Sequence, residues 1–150
     1  MTVSSLRPFA VLFALILCLP LIACDDHDHD HDSGEEVSVP HDGTSATSDD
    51  GLVVISYETA APLARTVNVF RIAVKNASDG TALTGAIVGL EVTSEAGEAI
   101  GTFAATEGEA GLHTSPAVDF PAAGNHLIKI HVSQEATGLH DHATFRVLVP

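Results

Sequence analysis

The chain is poor in positive charge. Six Lys and Arg stand against 20 Asp and Glu over 150 residues, a formal net charge of −14. That balance repels a phosphate backbone and excludes nucleic acid as a partner. Sulfur is as scarce, with one Met at the start and two cysteines, Cys18 and Cys24. Trp is absent and aromatics make up 5% of residues, so a core must rely on Val, Ile, Leu and Ala around a few Phe. After residue 23 no apolar run is long enough to span a bilayer. Signatures of catalysis are also missing: there is no Gly-x-Ser-x-Gly, no His-Glu-x-x-His and no phosphate loop. An enzyme is not expected.

The apolar excess is concentrated at the beginning. Arg7 precedes a run from Phe9 to Leu19, and Leu21-Ile22-Ala23-Cys24 closes it. A basic start, an apolar middle and a small residue before the cut describe a secretory signal. Leu21 to Cys24 also looks like a bacterial lipobox, whose Cys becomes the lipidated first residue. Residues 1–23 are therefore expected to be a lipoprotein signal peptide, and Cys24 the lipidation site. Each acyl chain would contribute about 0.8 kcal/mol per buried CH2. The mature chain would be lipid-anchored to a bacterial membrane, facing the periplasm or the exterior. Cys18 would be lost with the signal, leaving no free thiol and no disulfide.

Residues 24–50 read as a lipidated Cys and a tether. Between Asp25 and Asp50 there are ten acids, four His and no Lys or Arg, so this stretch carries −10 of the charge. Ser, Gly, Thr and Pro fill much of the rest, and the composition cannot bury enough apolar surface to offset ordering entropy. Disorder is expected. His27, His29 and His31 alternate with Asp, and two readings stay open. One is a solvated spacer. The other is a loose collector of zinc or copper, since neutral imidazoles suit those metals and carboxylates supply charge and oxygen.

Residues 51–150 carry strand signals separated by turn residues. Leu52–Tyr57, Val67–Lys75, the alternation of Ala86, Val88, Leu90 and Val92, Ala99–Ala104, Gly111–Thr114, Pro116–Phe120, Asn125–Ser133 and Ala143–Val149 are the candidates. Seven or eight short strands at this spacing predict an all-β, immunoglobulin-like antiparallel β-sandwich. Phe70, Phe103, Phe120 and Phe145 are expected as its large core members.

The pattern Asn68-x-Phe70-x-Ile72-x-Val74, then Asp79-Gly80, then Leu83-Thr84-Gly85-Ala86-x-Val88, resembles the YtkA-like domain, related to the FixH family. Glu109 to His113 and Phe120-Pro121-Ala122-Ala123-Gly124-Asn125-His126 continue the resemblance, which covers about residues 52–134. It implies an extracytoplasmic immunoglobulin-like sandwich, often lipid-anchored and sometimes associated with copper or other cation handling. Two positions depart from the pattern, His126 and His113, where aromatics are usual. With no Met after residue 1, a Met-rich Cu(I) site is not expected.

Five histidines lie in the last 38 residues: His113, His126, His131, His140 and His142. If Ile128, Ile130 and Val132 point inward in one strand, His131 points out. If Phe145, Val147 and Val149 point inward in the next, His140 and His142 point out. A hairpin loop near residues 134–138 gives paired numbers summing to about 273, which sets His131 opposite His142. Three imidazoles on one outer face are the expected metal ligands, with Asp141 or water completing the set. His126 has inward parity and reads as a core-edge residue. Two functions remain open. One is a membrane-anchored lipoprotein that binds a divalent transition metal, zinc or copper, for buffering, delivery or sensing. The other is a tethered structural or interaction module. An envelope protein or a metal transporter is the expected partner.

Overall fold

Strict alternation of apolar and polar residues dictates the architecture of this protein. In the computed structural model, residues 38–150 are described. The expected signal peptide, Cys24 and the tract holding His27, His29 and His31 lie outside them. The described chain is all-β: β1 Ser45–Thr47, β2 Val53–Thr59, β3 Phe70–Asn76, β4 Ile87–Ser94, β5 Ala99–Glu109, β6 Leu112–Thr114, β7 Gly124–Gln134 and β8 Leu139–Val149. Every strand pair is antiparallel, and the order across the sheet is β1-β2-β3-β6-β5-β4-β7-β8.

The eight strands fold into two layers because β5 serves both. Its first part, through Ala105, pairs with β4, and its last part, from Thr106, pairs with β6. One layer is thus β5-β4-β7-β8 and the other β1-β2-β3-β6-β5. Inward residues of both layers are fully buried: Val53, Ile55, Phe70, Ile72 and Val74 meet Val88, Leu90, Val92, Ile128, Ile130 and Phe145. Burying a side chain of this kind contributes roughly 1.5–3 kcal/mol, which explains why the register does not slip. Phe70, Phe120 and Phe145 are core members as expected, whereas Phe103 is only partly buried against the cluster.

Two expectations need correction. Pro116–Phe120 forms no strand; Val118 makes an isolated bridge with Asn68, and the two prolines at 116 and 121 leave too few donors for a ladder. The domain also begins before residue 51. β1 pairs with β2, and Ala46 and Ser48 are buried. The same segment runs along the free edge of β8. Thr144 O accepts the amide of His41 at 2.8 Å, His142 O accepts that of Asp49 at 2.8 Å, and Arg146 N donates to His41 O at 3.0 Å. Residues 41–49, which include β1, therefore act as a strap that joins β8 to β2 and nearly close the sheet. Edge backbone groups that need partners won over a polar composition.

Candidate metal centre

The β7–β8 hairpin positions the histidines. Its loop, Glu135–Gly138, is short, and Gly138 takes φ 69°, a left-handed turn conformation that glycine adopts without strain. The register that follows sets His131 directly opposite His142 and Ser133 opposite His140. Paired residues share a face, so the three histidines lie together on the outer face, as expected. The His131 and His142 ring centroids are 5.6 Å apart at 31°, and those of His131 and His140 are 6.4 Å apart at 45°.

The neighbouring strand shapes the floor. In β4, Gly89 pairs with His131 and Glu91 with Lys129. Gly89 leaves the space beside the His131 ring without a side chain; a Cβ there would meet only Phe103 O, at 3.9 Å. Glu91 reaches diagonally, bringing Oε2 to 3.3 Å from His131 Nε2. An ionised carboxylate only accepts, so this contact requires the Nε2–H tautomer. Burial pushes the His131 pKa below its ordinary 6.5; the Glu91 hydrogen bond opposes the shift, while His142 and Lys129 add to it. A lowered pKa keeps the imidazole neutral, the form that binds metals.

The strap supplies the other wall. Asp49 Oδ2 stands 3.2 Å from His142 Nε2, with both side chains mostly covered, 14% and 17% exposed. The contact is short but lies off the hydrogen-bond axis, and both atoms are buried without an aligned partner. Such atoms carry a desolvation cost of about 1–3 kcal/mol when left unmatched.

Asp141 does not belong to this site. It points into the sandwich at 1% exposure, where Ser48 Oγ, the amide of Asp50 at 3.1 Å, that of Leu52 at 3.2 Å and that of His142 at 2.8 Å donate to it. The expectation that it completes a metal set is wrong because strand alternation gives it the inward parity of Ala143 and Phe145. Its role is to hold the strap. His113 and His126 are buried elsewhere, at 0% and 3% exposure. Their Nε2 atoms bond Ala86 O at 3.1 Å and Ala122 O at 3.0 Å, and His126 packs on Phe120.

Asp49 and Glu91 escaped the sequence reading. Glu91 had the outward parity, but that β4 lies beside β7 is not written in any local pattern. Asp49 sat within a stretch whose composition resembles a tether. Among the described residues, no three His, Cys, Asp or Glu side chains already stand in ligating geometry, so a metal here would need side-chain rotation.

Comparison with known families and with curated proteins finds no match. Among solved structures the chain is similar to the ZirS C-terminal domain, at 12% identity and a TM-score of 0.39, over 93% of this chain and 86% of that one. The fold assignment rests on the strand pairing described above.

Proposed function

We propose that this protein is a lipid-anchored extracytoplasmic protein that binds a divalent transition metal, zinc or copper, on the outer face of its β7–β8 hairpin. The observation that carries the reading is the grouping of His131, His140 and His142, with ring centroids 5.6 and 6.4 Å apart. An imidazole ligated at about 2.0 Å places its centroid about 3 Å from the metal, so two rings on one tetrahedral ion stand about 5 Å apart. Rotation of the rings about χ would have to turn their nitrogens to a common point, since Nε2 of His131 and of His142 face Glu91 and Asp49. The Leu21–Cys24 lipobox supports the anchor, and the acid–imidazole tract with His27, His29 and His31 supports a second, looser binding region. The YtkA-like resemblance adds an association with cation handling.

Titration of the mature chain with Zn2+ and Cu2+ at neutral pH tests the reading. A tight step at substoichiometric metal is expected, followed by loose steps. The variant in which His131, His140 and His142 are all Ala should fold, lose the tight step and keep the loose ones. Absence of any tight step would leave the tethered interaction module as the leading reading.

A further inference from the structure

Along its first half, strand β5 has a neighbour on one side only. Ala99 to Ala105 pair with β4, and β6 joins the other side only from Thr106. Past Thr114 the chain keeps to β3: Ser115 N donates to Phe70 O at 2.9 Å and Val118 N to Asn68 O at 2.8 Å. Among the described residues, no backbone group bonds the open side of Ala99–Ala105. The stretch Ala99-Ile100-Gly101-Thr102-Phe103-Ala104-Ala105 holds neither charge nor proline, two devices that keep an edge strand from pairing. The edge of β8, by contrast, is covered by the strap.

Side chains at this edge are incompletely covered as well. Ile100, Phe103 and Ala105 pack against the core yet stay partly exposed. Phe103 folds back over Gly101, where a Cβ would stand 3.0 Å from the ring Cζ. At the Ala99 end an open cleft of about 600 Å3 is lined by Arg65, Thr66, Ile100, Asp119, Phe120 and Pro121. Its far wall is fixed. Arg65 Nη2 donates to Pro121 O at 2.8 Å. Asp119 Oδ1 accepts the amide of Val67 at 2.6 Å and so helps to hold that β-branched residue at φ 58°, a strained left-handed conformation.

We propose that the open edge of β5 is a docking site for an extended segment of another protein, which adds to the sheet as a strand beside Ala99–Ala105 and lays a side chain in the cleft. An extended chain is the partner whose amides and carbonyls alternate at the spacing this edge leaves free. Charge selects the occupant. Glu98 precedes the neutral stretch and Glu107 and Glu109 follow it, in a chain of net charge −14. A fitting segment is apolar or β-branched in its middle and carries Lys or Arg at both ends. A second copy laid antiparallel about Thr102 would bring glutamates against glutamates, and the acidic tract from Asp25 to Glu36 would meet the same repulsion.

Two labelled peptides test the site by fluorescence anisotropy on the mature chain. One is a run of alternating Val and Thr with Lys pairs at both ends; the other has Glu in place of Lys. The Lys peptide should bind at least about tenfold more tightly at low salt. N-methylation of every second amide removes the donors of one peptide edge, so one of the two methylated sets should lose at least about tenfold in affinity and the other little. Glu98 is exposed, and Glu98→Lys should weaken the Lys peptide about two- to tenfold without disturbing the fold. Hydrogen exchange locates the contact: amides of Ala99–Ala105 should divide into a slow set held by β4 and a fast set that the peptide slows. Absence of binding, equal loss from both methylated sets, or protection confined to other strands would overturn the proposal. Slow exchange of the whole stretch in the free monomer would mean that the chain covers its own edge. A dimer in sedimentation that the Lys peptide does not dissociate would assign the edge to a second copy instead.

Discussion

The two faces of the β7–β8 hairpin come from one sequence alternation and obey opposite rules. On the inner face Ile128, Ile130 and Val132 meet Ala143, Phe145 and Val147, and all are buried. The one charge there, Asp141, is met by four donors. On the outer face His131 meets Glu91 at 3.3 Å and His142 meets Asp49 at 3.2 Å, and the facing atoms of the second pair are buried with no aligned partner. Where this fold needs a buried charge for its own stability, it surrounds that charge with donors. On the outer face the Asp49 carboxylate lacks them, and the metal reading proposed above is the one its histidines support.

Damage to the inner face should have the largest effect. Phe145 is fully buried, with the Tyr57 ring 5.2 Å away. Phe145→Ala should cost about 3–5 kcal/mol of stability in urea unfolding. His140 is exposed, His131 half-covered, and the mostly covered His142 has no aligned partner to lose, so the triple His→Ala variant should lose no more than about 1 kcal/mol. Comparable losses from both would erase the distinction between the faces.

The strap comes next. Asp141→Ala removes the acceptor for Ser48 Oγ in the strap and for the amides of Asp50 and Leu52 just after it, and should cost about 2–3 kcal/mol. A chain beginning at Gly51 loses β1, Ala46 and Ser48 as well, and should be destabilised at least as much. Thermal unfolding of both variants checks this. If the shortened chain melts like the longer one, the strap is decoration.

The third effect depends on ligand. Zinc at about 100 times its dissociation constant should stabilise the wild type by about 2.7 kcal/mol. The triple His→Ala variant should gain clearly less, since only the loose tract is left to bind. Equal gains would place the stabilising ion away from the outer face.

Much of this was legible in advance. The phases of Ile128, Ile130 and Val132 and of Phe145 and Val147, with a loop short enough to be a hairpin, were sufficient to set His131 opposite His142. Local alternation and a local turn carry that information. What they cannot carry is which strands lie side by side across the sheet. Glu91 reaches His131 because β4, which ends at Ser94, and β7, which begins at Gly124, are neighbours. Asp49 reaches His142 because the edge of β8 needs backbone partners, a demand set by tertiary structure and invisible in the polar sequence of residues 41–50.

Exposure offers a simpler explanation for the unmatched carboxylate of Asp49, and Glu107 tests it. Glu107 sits near the solvent in β5, yet its carboxylate accepts the amide of Gly111 at 3.0 Å and that of Gly85 at 3.0 Å. Both glycines have left-handed φ, 69° and 68°, and at Gly111 a Cβ would stand 2.8 Å from Val74 O, so a side chain cannot replace that glycine without strain. The Gly111 bond, then that from Gly85 and the nearby His113, hold the Glu107 pKa below its ordinary 4.5. A depressed folded-state pKa means that the carboxylate adds stability above about 4.5 and loses it as pH falls through the folded value. Glu107→Gln should therefore melt below the wild type at pH 7, and the two midpoints should converge as the pH is lowered past that value. A gap that stays constant from pH 7 to about pH 3 would show that the amide contacts, not the charge, hold these turns. Convergence would show that even a solvent-facing carboxylate in this fold is matched when its role is structural, in contrast to Asp49, whose buried Oδ2 has no aligned partner.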